Sequence, residues 1–294
     1  MTGRSAWIVG PGRIGLALGS ELMASEWTAE LTLVGRGAQP AHSVFDKPRV
    51  RYSTALPAES AAPDVILLTI RDDALREVAS SLVEHFVGSG VPLRNTVVLH
   101  TSGLVSSTVL RPLGEMGAGV GAVHPLVSIA DPERDGPRLR NGWYGVEGDE
   151  RGISVAADLV GALDGRALTI CTGDKPVYHA AAVFASNYIV SIMAVAERLM
   201  VSSGVIREDA RAALVSLASG TVENIAAVGP TPALTGPVAR GDAATVEEHL
   251  GRLSVPDRLL YSGLAREALQ LARERGLPEE ALARISAILE GELP

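Results

Sequence analysis

The stretch "SAWIVGPGRIGLALGSELMAS", residues 5–25, decides the fold. A short apolar run, Ala6 to Val9, meets Gly10-Pro11-Gly12-Arg13-Ile14-Gly15, and Leu16, Leu18 and Leu22 continue at helical spacing. The order is strand, glycine turn, helix, the context that gives G-x-G-x-x-G a mechanical meaning. Gly10 permits the tight turn, Gly12 lets a pyrophosphate approach the backbone, and Gly15 lets the helix pack on the strand. The helix N-terminus adds free N–H groups and the positive end of its dipole. Gly10, Pro11, Gly12, Arg13, Ile14 and Gly15 are therefore expected to hold a dinucleotide.

The second strand, "ELTLVGRG" (residues 30–37), ends in Gly35-Arg36. An acidic residue there would bond the ribose 2′-hydroxyl of NAD, whereas an Arg accommodates the 2′-phosphate of NADP. Arg36 thus points to NADP(H), and Arg13 is a second candidate phosphate contact.

Further along, "PDVILLTIRDDAL" reads as a buried strand (Val65 to Ile70) running into a helix near Asp72. "NTVVLHTSG", "GAGVGAVHPL" and "GWYGVEG" are further strands, followed by a helix from Glu150 to Leu163 and by "ALTIC". Strands made of unbroken Val/Ile/Leu runs, alternating with helices, indicate a doubly wound parallel sheet. Ligands of such sheets sit at the carboxyl ends of the strands. Those ends here are Ile70-Arg71-Asp72, His100-Thr101-Ser102-Gly103 and His124-Pro125-Leu126. Ile70, Arg71 and Thr101 join the expected cofactor contacts.

After Cys171 the pattern turns helical, with helices expected at 176–203, 207–227, 242–252, 256–275 and 278–290. The predicted organisation is an α/β Rossmann-like domain over 1–171, followed by an all-α domain over 172–294. The second domain is expected to carry substrate contacts and to pair two copies into a homodimer.

Composition excludes several classes. Formal net charge is −8, so no basic face is available for nucleic acid. The single cysteine, Cys171, forbids an intrachain disulfide and suits a reducing cytoplasm. No Cys/His/carboxylate cluster has metal-ligand spacing. The apolar run Ala180 to Ala196 is interrupted by Ser, Asn and Tyr and followed by Glu197 and Arg198. A bilayer span needs about twenty predominantly apolar residues, so this run is expected to be a buried helix of a soluble protein without membrane contact.

That helix carries His179, Ser186 and Asn187. At about 100° per residue, Lys175, His179 and Ser186 fall on one face and Asn187 on the same side. Beside a cofactor cleft, such a face is expected to form the substrate-side wall. A His with an unperturbed pKa of about 6.5 can give and regain a proton near neutrality. His179 and His124 are both candidates, with Lys175 as an electrostatic partner. Thr235 and Arg240 in "LTGPVARGD", with Ser186, Asn187 and Ser102, are candidate donors to a carboxylate. Arg240 could equally pair with Asp242 and shape its loop.

Taken together, "IVGPGRIGLALG", "VLHTSG", "AVHPL", "YHAAAVFASNY" and "ALTGPVARGD" resemble a bacterial family of NADP-dependent oxidoreductases. That family has a Rossmann-like domain and a C-terminal domain of unknown function, like that of 6-phosphogluconate dehydrogenase. Its wider superfamily includes ketopantoate reductase (2-dehydropantoate 2-reductase), pyrroline-5-carboxylate reductase, prephenate dehydrogenase and F420-dependent enzymes. The resemblance implies reduction of a small 2-oxo acid, with ketopantoate and pantothenate biosynthesis the named possibility. It also implies that His124 matches the His-Pro segment by which prephenate dehydrogenases face their substrate, and that Ser102 matches a strand-end Ser or Asn near it. Relatives place a Lys with an Asn four residues on; here His179 stands four residues after Lys175, and Asn187 comes later. A different substrate, or NADP binding without turnover, are the alternatives.

Overall fold

β1 (Arg4–Val9) sends Ala6 and Ile8 to one face of the sheet and Trp7 and Val9 to the other, and all four are buried. A strand buried on both faces needs a layer on each side. The computed structural model, which describes residues 3–58 and 60–291, supplies both. β2 (Thr28–Val34), β3 (Val50–Ser53), β4 (Val65–Leu68), β5 (Val97–His100), β6 (Gly119–Pro125), β7 (Trp143–Gly148) and β8 (Arg166–Thr169) complete the sheet. The strand order is β3-β2-β1-β4-β5-β6-β7-β8. The helices of this part are α1 (Arg13–Ala24), α2 (Leu75–Ser89), α3 (Arg111–Glu115), α4 (Pro132–Asp135) and α5 (Glu150–Ala162). Leu16, Leu18 and Leu22 of α1 and Leu159 and Val160 of α5 cover the face of Ile8. Leu82 and Phe86 of α2 and Leu113 of α3 cover the face of Trp7.

Every neighbouring pair is parallel except β6 and β7. The chain from 126 to 142 carries only α4 and a short 3-10 turn, and Leu126 N donates to Trp143 O at 2.8 Å, so the strands meet end to start. The expected parallel sheet is thus met at every pair but this one. β3 is a partly exposed edge strand without an apolar run, and nothing in its composition marks it.

The remaining helices are α6 (Lys175–Ala185), α7 (Asn187–Ser202), α8 (Arg207–Val228), α9 (Pro230–Ala233), α10 (Pro237–Arg240), α11 (Ala243–Arg252), α12 (Val255–Glu274) and α13 (Glu279–Glu290). The single helix expected over 176–203 is thus two, broken at Ser186, whose φ of −130° and ψ of −72° lie outside the helical region. Ser and Asn bond nearby backbone groups and favour helix ends. The chain divides into two compact units between Asn187 and Tyr188, so α6 belongs with the sheet and not with the later helices.

In the second unit, Val238, Val246, Leu250, Leu269, Leu282, Ile285 and Leu289 of α10 to α13 form a core. α7 has no buried residue, and α8 buries only Ala210. The expectation of a buried apolar helix is therefore not met. Thr172–Ser202 has the length and hydropathy of a membrane span, and its most apolar stretch of 18 residues is 0% buried. Exposed apolar side chains run along both helices, among them Val190, Ile192 and Leu199, and Val215, Leu217 and Val222.

Candidate active site

The turn after β1 is built around three glycines with three different constraints. Gly10 has φ +102°, and a Cβ on it would lie 2.5 Å from Ile70 Cγ2 and 2.8 Å from Thr69 O. A Cβ on Gly15 would collide with Gly10 O and lie 2.5 Å from Thr69 Oγ1. Thr69 Oγ1 donates to Gly10 O at 2.6 Å and fixes the turn. A Cβ on Gly12 would meet nothing within 4 Å among the described residues. Gly12 is also the N-cap of α1, without a side-chain cap and without an acidic residue in the first turn. Free N–H groups and a positive dipole end facing open space fit a pyrophosphate.

The loop after β2 packs on this turn, because a Cβ on Gly35 would lie 2.8 Å from Pro11 Cγ. Arg36 follows it, exposed and with no ion pair among the described residues. Arg13 is exposed and reaches Ile129 O at 3.5 Å. Ile70 walls Gly10, and Thr101 Oγ1 reaches back to Leu68 O at 3.5 Å. Arg71 pairs with Asp73 at 2.6 Å on the surface.

On the same strand-end rim, β6 delivers His124. Its Nδ1 lies 2.9 Å from Tyr178 Oη, and its ring centroid is 5.9 Å from that of His179. Both imidazoles converge on Gly103, where a Cβ would lie 2.6 Å from His179 Nδ1 and 2.9 Å from His124 Nε2. His179 Nδ1 is buried and has no hydrogen-bond partner among the described residues. A cavity of about 440 Å³ opens here, lined by His124, Ser128, His179, Val183, Ser186 and Asn187 among others, with no Asp, Glu, Lys or Arg in its wall. Burial, then the electrostatic influence of His179 and Lys175, push the His124 imidazole down to about 4. The break at Ser186 sets Ser186 and Asn187 in this wall together with His179.

Lys175 is corrected. Its ammonium is buried and donates to Ser102 O at 2.9 Å and to Glu147 Oε1 at 3.3 Å, and it does not line the cavity. Glu147, also buried, accepts from Ser107 N at 2.6 Å, Ser107 Oγ at 2.7 Å and Thr172 Oγ1 at 3.3 Å. The ion pair ties α6 to β7 and to the loop after β5. Ser102 is corrected as well: it is buried, and its Oγ accepts from Leu104 N and Val105 N at 3.1 and 2.8 Å, capping that loop. His100 is fully buried, accepts from Ser102 N at 3.2 Å, and is pushed down to about 4 chiefly by burial. Thr235 and Arg240 belong to the second unit, flanking the start and end of α10. Asp242 caps α11 through Thr245 N at 3.1 Å, and the Thr245 hydrogen bonds, with a lesser contribution from Arg240, lower its pKa. Sequence reasoning missed Tyr178, Gly103, Thr69 and Glu147. The one available signal was Glu147 itself, a carboxylate inside an apolar strand.

The fold and the glycine turn define a Rossmann-like domain, and residues 3–125 match the model of the Rossmann-like domain family. Residues 143–285 match the model of a domain of unknown function, DUF2520, so the chain carries these two domains in the order its motifs resemble. No curated protein matches. Among solved structures, protein TM1727 from Thermotoga maritima is similar at 23% identity and a TM-score of 0.71, covering 91% of this chain and 99% of that one. Protein BF3122 from Bacteroides fragilis is similar at 18% identity and a TM-score of 0.68, covering 93% and 98%. The Plasmodium falciparum pyrroline carboxylate reductase, solved with NADP bound, gives 14% identity and a TM-score of 0.57, covering 99% and 98%.

Proposed function

We propose that this chain is an NADPH-dependent reductase of a small carbonyl compound, in the first instance a 2-oxo acid, with ketopantoate the first substrate to test. The observation that carries this reading is the unpartnered Nδ1 of His179 beside His124, at a cavity on the strand-end rim that also bears the glycine turn. The backbone over Gly12 to Gly15 would hold the pyrophosphate and Arg36 the 2′-phosphate. When bound, the dihydronicotinamide supplies a hydride. His179 gives a proton from Nδ1 to the oxygen left on the product and recovers it from water. His124 stays neutral and donates a hydrogen bond to the same oxygen. Ser186 and Asn187 supply polar contacts along the wall.

A cyclic imine is the second reading, favoured by the likeness to a pyrroline carboxylate reductase. NADPH consumption with ketopantoate, with NADH in parallel, separates the possibilities. Turnover with a strong NADPH preference supports the 2-oxo acid and a role in pantothenate synthesis. Turnover only with pyrroline-5-carboxylate replaces it by the imine. Tight NADPH binding without turnover of either, and unaffected by His179→Ala, leaves a non-catalytic NADP-binding regulator.

The exposed apolar faces of α7 and α8 are proposed to be covered by a second copy of the chain in the cytoplasm. Light scattering should then give twice the 30.6 kDa chain mass from the detergent-free soluble fraction. Recovery only from membranes would refute both statements.

A further inference from the structure

We infer that Tyr178 is a positioning residue that holds His124 as its Nε2–H tautomer, so that the cavity presents one fixed, neutral N–H donor and selects a carbonyl oxygen over a protonated iminium. The half concerning substrate rests on the reductase reading; the half concerning the tautomer does not.

Tyr178 Oη lies 2.9 Å from His124 Nδ1. Either the phenol donates to Nδ1, or an Nδ1–H donates to the phenol oxygen. The second arrangement takes from the phenol hydrogen its acceptor in a half-buried position, leaving a polar group unsatisfied. It also asks the weaker acid, a neutral imidazole, to donate to the stronger one. The phenol keeps its proton at any working pH, since burial pushes it up to about 12. Donation by Tyr178 occupies the Nδ1 lone pair and leaves the hydrogen on Nε2, the nitrogen that faces Gly103 beside His179 Nδ1.

The sheet is shaped to keep the phenol in place. Tyr178 Oη lies where a side chain on Gly145 would begin, so any residue larger than glycine there displaces it. Gly145 is the partner of His124 across β6 and β7, so one register places both the imidazole and the gap its phenol needs. The rings of Tyr178 and His124 meet nearly at right angles, at 85°, which points the hydroxyl at the edge nitrogen. The ionisable groups facing His124 are His179, Lys175 and Tyr178 itself, and none of them is an acid that would draw a second proton onto the ring.

Substrate choice follows from the same donor. A carbonyl oxygen accepts from Nε2–H. An iminium carries its own N–H and a positive charge, and it would meet a donor in a wall that holds no carboxylate.

Full-length protein labelled with [15N]histidine, read by long-range 1H–15N correlation, tests the tautomer. The His124 signals are assigned by their loss in His124→Gln. Wild type should show a single Nε2–H form from pH 8 to pH 6, and Tyr178→Phe should show the averaged signals of both tautomers, with the other histidines unmoved. Gly145→Ala, which displaces the phenol without removing it, should do the same if Tyr178→Phe fails to fold. An Nδ1–H form in wild type, or a single Nε2–H form surviving both substitutions, overturns the inference. The substrate half is read by NADPH oxidation: Tyr178→Phe should lower kcat for ketopantoate at least tenfold with KM for NADPH unchanged. Faster wild-type turnover of pyrroline-5-carboxylate than of ketopantoate overturns that half. No turnover of either removes it along with the reductase reading, whatever the tautomer spectra show.

Discussion

Placing a single methyl group on each of the three turn glycines should separate folding from cofactor binding. At Gly12 the backbone, with φ −82° and ψ −169°, suits alanine, and nothing lies within 4 Å of the new carbon. Losing the glycine cap costs a few tenths of a kcal/mol or somewhat more, and stiffening the unfolded chain returns about 0.4–1 kcal/mol. Gly12→Ala should therefore melt within about 2 °C of wild type. The same methyl stands in the space a pyrophosphate needs. Losing two charge-assisted hydrogen bonds, each worth about 1.5–3 kcal/mol, weakens NADPH binding by roughly a hundredfold or more. Gly15→Ala differs, because its methyl collides with Gly10 O and Thr69 Oγ1. Overpacking of this kind costs about 1–3 kcal/mol, or several degrees of Tm. Gly10→Ala adds the strain of φ +102° to a 2.5 Å approach to Ile70. Thermal melts and titration of NADPH fluorescence on the three variants decide it. Gly12→Ala binding NADPH within threefold of wild type, or melting as low as Gly15→Ala, would refute the assignment of the open backbone to the cofactor.

Arg36→Ala should raise the Kd for NADPH about tenfold, the worth of one charge-assisted contact, and leave NADH unchanged; equal losses for both would remove Arg36 from the 2′-phosphate. Lys175→Met leaves Glu147 buried and unpaired and should cost about 3–5 kcal/mol, most of it recovered in Lys175→Met/Glu147→Leu; a single variant within 1 kcal/mol of wild type in urea unfolding would contradict the buried pair. His100 and His124 are held down to about 4 in the folded chain. The unfolded chain takes up these protons near 6.5, so stability is flat above that pH and is lost as pH falls towards 4. For the fully buried His100 the loss is on the order of 3 kcal/mol. Urea unfolding at pH 7.5 and pH 4.5 measures it, and equal stabilities at the two would rule it out. Gly103→Ala pushes a methyl against both imidazoles and should abolish turnover while NADPH still binds; retained turnover would separate these histidines from the chemistry.

Much of the first unit was legible because its central strands are buried on both faces, and that burial writes itself as unbroken apolar runs. Strand direction leaves no such trace, so the reversal of β7 was invisible. The break at Ser186 was overlooked although Ser-Asn is a pair that ends helices; the apolar run on either side outweighed it. Lys175 shows the limit of a helical wheel. Its angle relative to His179 is right, but its partner, Glu147, lies on a strand that the wheel does not contain. Exposure of α7 was misjudged for a related reason: composition reports that a helix seeks apolar contact, not whether its own chain supplies it. Tyr178 escaped notice because its use depends on Gly145, a missing side chain on another element.

The buried pair of Lys175 and Glu147 also bears on how this chain can change over evolutionary time. Neither position can drift by itself, since each single loss strands the other charge, buried and unpaired. Exchange for two apolar residues in one lineage is open, but only through an intermediate carrying an unmatched charge. Among related chains, positions 147 and 175 should therefore be inherited as a unit, either both ionic or both apolar.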